Sequence, residues 1–178
     1  MGYNPKKLFE ANMIALRNIV VATDFSEASH SALIYGRALA RAFGATLHIV
    51  HVTENIYVYA VRHLGADAPT EPDPQHGVNE VARKRLKEQL VDSESSTTPA
   101  IGAILTSNEP ALAIVQYAKE KDVDLIITGT QGRGGVAHFV IGSVAEQIVR
   151  RAPCPVLTVR HPEHEFVLPD TIAAVTQL

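Results

Sequence analysis

Short β-branched runs that alternate with amphipathic stretches constrain this chain more than any other feature. Asn18 to Ala22 reads as a strand buried on both faces, and Thr46 to Val52 as a second strand. Between them, Ser26 is placed to N-cap a helix that begins at Glu27. Along that helix Ala32, Tyr35, Gly36, Leu39, Ala42 and Phe43 follow the spacing of a core-facing stripe, and Gly44 stands where a C′ glycine belongs. Val78 to Val91 predicts a second helix with Val81, Leu86 and Leu90 inward. Ala100 to Leu105 predicts a third strand, weakened by Gly102 and therefore at an edge. Ser107 or Asn108 is positioned to cap a third helix, with Pro110 in its first turn and Ala111, Ile114, Val115 and Ala118 facing in. Leu125 to Thr128, Val144 to Arg151 and Pro155 to Val159 complete the series as strand, helix and strand.

Five strands alternating with four helices specify an α/β fold. The expected architecture is a doubly wound parallel five-stranded sheet in the order 3-2-1-4-5, with helices on both faces. Residues 1–15 read as an N-terminal arm, residues 16–160 as the folded domain and residues 161–178 as a C-terminal tail in which the periodicity stops. Residues 53–78 break the rhythm with Pro69, Pro72 and Pro74 among acidic residues, so regular structure is not expected there. A connection this long that leaves the C-terminal end of a strand lies on the ligand side of the sheet and is expected to cover it.

Composition narrows the class of partner. The formal net charge of −3 gives no electrostatic footprint for nucleic acid or an anionic membrane. No run reaches the roughly 18 apolar residues of a membrane span, and Met1 to Arg17 lacks a signal-peptide pattern. With Cys154 as the single cysteine, an intrachain disulfide is impossible, and a cytoplasmic location is the default expectation.

The glycine-rich stretch Gly129-Thr130-Gln131-Gly132-Arg133-Gly134-Gly135, followed by Gly142-Ser143-Val144, carries the functional signal. Without Cβ atoms a loop folds tightly and lets its N–H groups approach a ligand. A Gly-Ser pair opening a helix adds unbonded N–H groups, a hydroxyl and the positive end of the dipole, which together suit a phosphate. In the order 3-2-1-4-5 the crevice lies between strands one and four, where Asp24 and Gly129 converge. Walker A is excluded because the chain has no Gly-Lys pair. Gly132 to Ala137 matches a dinucleotide string, but it follows the fourth strand and no acid for a ribose follows some 20 residues on. A Gly-x-Ser-x-Gly elbow is also missing. The eight histidines form no helix pair or Cys/His cluster of metal-ligand spacing, and Cys154 between two prolines reads as a small packed residue. Arg133 reads equally as a solvated loop residue or a phosphate contact.

The spacing Gly129-x2-Gly132-x9-Gly142-Ser143 resembles the nucleotide-binding signature of the universal stress protein family. The resemblance runs from Ile19 to Arg160 and includes the Val21-Ala22-Thr23-Asp24-Phe25-Ser26 opening, His51-Val52, Val123 to Ile126 and Ala152 to Leu157. It implies an adenine nucleotide alpha hydrolase-like fold that binds ATP or AMP, with Mg²⁺ screening the phosphates. By position, the Thr23-Asp24 turn would face the ribose or adenine, and Ala22 and Val52 would line the adenine pocket. Thr128 and Gly129 would form its edge, with Gln131 and Arg133 in the adjoining loop. Gly132, Gly142, Ser143 and Val144 would hold the phosphates. Gln131 stands where many relatives have histidine, and Ala22 where some ATP binders have proline. The family also implies a homodimer made by antiparallel pairing of the last strand, Pro155 to Val159, which would cover an edge otherwise open to aggregation. The resulting expectation is a nucleotide-binding stress or signalling module, without a positioned base or cationic clamp for phosphoryl transfer and at most slow at ATP hydrolysis. A nucleotide-independent chaperone or interaction dimer is the alternative, and a hydrolase dependent on Ser143 the third reading.

Overall fold

A computed structural model of the protein describes residues 14–64, 73–91, 98–130 and 142–161. The elements run β1 (Asn18–Ala22), α1 (Glu27–Phe43), β2 (Thr46–Thr53), α2 (Ile56–Leu64), α3 (Pro74–Val91), β3 (Ala100–Thr106), α4 (Pro110–Glu120), β4 (Leu125–Gly129), α5 (Ser143–Arg151) and β5 (Val156–Val159). The strands form one parallel sheet in the order β3-β2-β1-β4-β5, the doubly wound arrangement that alternation demands. Arg17 and Asn18 donate backbone N–H groups to Asp124 Oδ2 at 2.7 and 2.9 Å, which registers β1 against β4 at their N-terminal ends.

The two-residue period of β1 divides the core. Ile19 and Val21 join Leu33, Leu47, Ile49 and Ile127 under α1, with Leu86 of α3 beside them. Val20 joins Val50, Ile114, Ile126 and Ile148 under α4 and α5. The fully buried β-branched residues in β1, β2 and β4 follow from coverage of both faces. Helix α1 lies close on the sheet because of Gly36, where a Cβ would fall 2.3 Å from Val21 Cγ2. Its ends are as expected: Ser26 accepts from the Ser29 N–H, and Gly44 takes φ +65° as the left-handed cap.

Several local expectations are corrected. In α1 the stripe ends at Ala40; Ala42 and Phe43 are exposed, because the last turn runs past the sheet. Helix α3 begins at Pro74, four residues earlier than expected, since proline is tolerated in a first turn. There Val81 is 60% exposed and Ala82 takes the inward place instead. Gly102 does not interrupt β3: a Cβ there would meet Leu90 Cδ1 at 2.9 Å and Leu86 Cδ2 at 3.0 Å, so it admits α3 onto the edge strand. The N-cap of α4 is Glu109, without a side-chain cap. Ser107 Oγ accepts from the Glu109 N–H at 3.0 Å within the turn before α4, whereas Asn108 Oδ1 accepts from the Asn55 N–H at 2.6 Å and ties that turn to the segment before α2.

The largest difference lies in residues 53–78, where α2 occupies part of the stretch expected to be irregular. Asn55 Oδ1 accepts from the Val58 N–H at 3.2 Å, in the manner of an N-cap. Tertiary bonds add to it: buried Gln75 takes the Ile56 N–H at 3.0 Å and donates to the Glu54 carbonyl at 3.1 Å. Thr53 Oγ1 donates to Asn79 Oδ1 at 2.8 Å. This polar clamp ties the end of β2 to the starts of α2 and α3.

Candidate functional site

The sheet pairs Ala22 with Thr128, so β1 and β4 end side by side on one rim. Asp24 and Gly129 therefore share that rim, as the reading of the switch point requires. Asp24 Oδ1 accepts from the Ser26 N–H at 3.0 Å and from the Ser26 hydroxyl, an Asx turn that fixes the carboxylate at the mouth of α1.

Thr23 is buried and its groups serve the turn. Its N–H donates to the Val50 carbonyl at 2.9 Å. Its Oγ1 accepts from the Phe25 N–H and lies 3.1 Å from Ser29 Oγ. Its carbonyl accepts from His51 Nδ1–H at 2.7 Å. Thr23 thus positions its neighbours, and Asp24 is the residue of the pair that faces open space.

That space is a cleft of about 340 Å³ straddling the rim between β1, β2 and α3. Its β-strand side is Asp24, Phe25, His51, Val52, Thr53 and Glu54; its helical side is Val78, Val81, Ala82 and Arg85. Apolar Phe25, Val52, Val78, Val81 and Ala82 alternate with polar or charged Asp24, His51, Thr53, Glu54 and Arg85, a mixed lining that suits a polar small molecule. Of the residues expected from the sequence, Asp24 and Val52 line it. Ala22 lies just beneath, in the core cluster against which Val52 packs.

The glycine side of the site lies across β1. The Thr130 N–H donates to the Val159 carbonyl at 2.8 Å, and the Gly142 N–H donates to the Thr130 carbonyl at 2.6 Å. The chain leaving β4 and the chain entering α5 are thereby joined at one point. Gly142 is the N-cap of α5 and offers no side chain to its first turn, so Ser143 and Val144 present first-turn N–H groups on this rim. Ser143 is exposed and Val144 half-buried against the core. Thr128 is buried. Gly129 has a packing reason for its identity: a Cβ there would sit 2.8 Å from the carbonyl carbon and oxygen of Ala28, at the start of α1. Gln131, Gly132 and Arg133 lie outside the described residues.

Phe25, His51, Glu54 and Arg85 were not expected in the cleft. Nothing in the helix pattern singles out Arg85, and only the placement of α3 over β2 brings it to the rim. Cys154 is half-buried, and burial pushes its thiol pKa up, which favours the unreactive thiol over the thiolate.

The model of the Universal stress protein family matches residues 15–160. A universal stress protein of Thermus aquaticus, described by its position in the QAH/OAS sulfhydrylase 3′ region, is 33% identical over 144 residues, covering 81% of this chain and 98% of its own.

The chain belongs to the universal stress protein family.

Solved universal stress proteins share its fold. UspA from Lactobacillus plantarum aligns with a TM-score of 0.65 at 22% identity, over 83% of this chain and 100% of its own. A universal stress protein from Archaeoglobus fulgidus, solved in complex with dAMP, aligns with a TM-score of 0.58 at 21% identity, over 83% and 99%. Among the described residues, no helix of this universal stress protein is long and apolar enough to cross a membrane.

Proposed function

We propose that the protein binds an adenine nucleotide, ATP or AMP, across this rim, as a stress-response or signalling module. One observation carries the reading: Asp24 and Val52 open into one cleft while Gly142 and Ser143 begin a helix on the same rim, across β1. The residues fit the ligand. The cleft has the size and the mixed apolar and polar lining for a nucleoside, and the α5 start, without a side-chain cap, suits a phosphate. Asp24 would accept from the ribose, and Gly132, Ser143 and Val144 would donate to phosphate oxygens. Gly142, whose N–H is held by the Thr130 carbonyl, would let the phosphates approach for want of a side chain. Mg²⁺ would be held by the phosphates, screening their charge. The dAMP bound by the Archaeoglobus fulgidus relative supports an adenine nucleotide as the class.

We further propose a homodimer through β5, an edge strand of the sheet, and a cytoplasmic setting. Calorimetry with ATP, AMP and cyclic AMP tests the ligand. Binding that is lost in Asp24→Ala or Gly132→Ala supports the reading, and a protein silent toward all three nucleotides sinks it. A second reading, an interaction dimer that needs no nucleotide, is favoured by the apolar surface of α2, where Val58, Tyr59 and Val61 are exposed. Silence toward nucleotides together with an intact dimer would select it.

A further inference from the structure

Phe25 holds φ +63°, a left-handed conformation in which a bulky side chain is strained. Such residues persist only when their surroundings over-determine them, and they gather at ligand clamps. Here the surroundings are visible. The Phe25 N–H donates to Thr23 Oγ1 at 3.1 Å. The Phe25 ring packs on the His51 ring with centroids 4.4 Å apart, and His51 is latched to the Thr23 carbonyl at 2.7 Å. The guanidinium carbon of Arg85 lies over the Phe25 ring, 5.8 Å from its centroid. All three side chains line the cleft. Arg83, two residues earlier on α3, pairs with Glu80; Arg85 has no carboxylate partner among the described residues.

We propose that the Phe25 ring and the Arg85 guanidinium form the recognition wall for the base of the bound nucleotide, with Arg85 a specificity-determining contact to the base and not to the phosphates. The inference rests on the nucleotide reading and deepens it. Position decides between base and phosphate. Arg85 belongs to α3, which packs over β2 and β3, whereas α5 starts beyond the end of β4, and β1 lies between β2 and β4. At a strand spacing of about 4.8 Å, β2 and β4 are roughly 10 Å apart, the scale that separates a purine from its distal phosphates. A nucleotide with its phosphates at Ser143 and its sugar at Asp24 therefore places its base toward Val52, Phe25 and Arg85. The chemistry there suits a heteroaromatic ring. A planar guanidinium stacks on π faces and donates to ring-nitrogen acceptors, and Glu54 in the same cleft can accept from an exocyclic amine.

Calorimetry with adenosine, AMP and ATP, and with UTP as the nucleotide of a different base, on the wild type, Arg85→Ala, Arg85→Lys and Asp24→Ala tests this, with circular dichroism to establish folding; Arg85 is exposed, so its variants keep the core intact. Arg85→Ala should weaken all three ligands by the same factor, about three- to thirty-fold, and narrow the preference for ATP over UTP. Arg85→Lys should recover only part of the loss, because an ammonium lacks the planar face. A loss that grows from adenosine to ATP would make Arg85 a phosphate contact and overturn the assignment. Unchanged affinities in Arg85→Ala, alongside a loss in Asp24→Ala, would overturn it while leaving the nucleotide reading in place. A wild-type protein that binds none of the three overturns both.

Discussion

The Gly142 N–H donates to the Thr130 carbonyl at 2.6 Å, so the chain that leaves β4 returns to within one hydrogen bond of its exit before entering α5. The bond sets where the first turn of α5 points relative to the sheet rim. Gly142 has φ −55°, a value proline adopts without strain. Gly142→Pro therefore keeps the backbone angle and removes the donor. We expect a loss of about 0.5–1.5 kcal/mol in urea denaturation and a larger proportional loss of ATP affinity than of adenosine affinity by calorimetry. Equal losses for the two ligands would separate the α5 start from the phosphates.

Gly129 is held by packing as well as by any ligand. An added Cβ would press on the Ala28 backbone at 2.8 Å, and backbone cannot rotate away as a side chain tip can. Gly129→Ala should destabilise by ~1–3 kcal/mol through a shift of α1 against β4. Thermal and urea unfolding without nucleotide will show it. A variant as stable as the wild type would mean that α1 yields freely, and the glycine would then need a ligand-based explanation.

His48 is buried and lies 2.9 Å through Nδ1 from the Tyr117 hydroxyl. Burial, helped by nearby Lys121, lowers its pKa from 6.5. The native state thus favours the neutral ring, and the unfolded chain takes up the proton first as the pH falls. The stabilisation is fully present above about pH 6.5 and is lost as the pH falls from there through the lowered native value. The urea midpoint should decline between pH 7 and 5 more steeply in the wild type than in His48→Asn. Parallel profiles would show that His48 does not contribute.

The edge formed by β5 makes the dimer testable. The carbonyls of Pro155 and Val159 accept from the Ile126 and Thr130 N–H groups of the β4 side. By strand alternation the N–H of Thr158 faces the open edge. Thr158→Pro removes that donor and leaves the β4 ladder intact. Sedimentation is expected to give the proposed dimer for the wild type and a monomer for Thr158→Pro, with circular dichroism unchanged. A Thr158→Pro dimer would place the interface elsewhere.

The sheet was legible because its signals are local. Ile19 to Ala22 and Ile126 to Thr128 are apolar and β-branched, as two covered faces require, and Ser26 and Gly44 mark the ends of α1 with their own chemistry. Expectations failed where a partner overrides local preference. Val81 has helical spacing for an inward position, but α3 meets β3 through Ala82, Leu86 and the space left by Gly102. Helix α2 was hidden because the three prolines between 69 and 74 discouraged reading a helix before them, although Asn55 was a cap in plain view.

The sequence by itself determined that this is a parallel α/β sheet of the universal stress protein family, that Asp24 and Gly129 end neighbouring strands, and that a glycine-and-serine helix start belongs to the same rim. The strands and helices follow from periodicity and caps that each segment carries alone, and the family and the shared rim from the resemblance that the glycine spacing carries. Tertiary structure decided that Asp24 opens into a cleft walled by Phe25, His51 and Arg85, and that Gly129 is small partly to admit α1. The reason is physical: a side chain's neighbours across the sheet depend on how closely and at what angle the helices pack. That geometry is set by contacts between residues far apart in the chain.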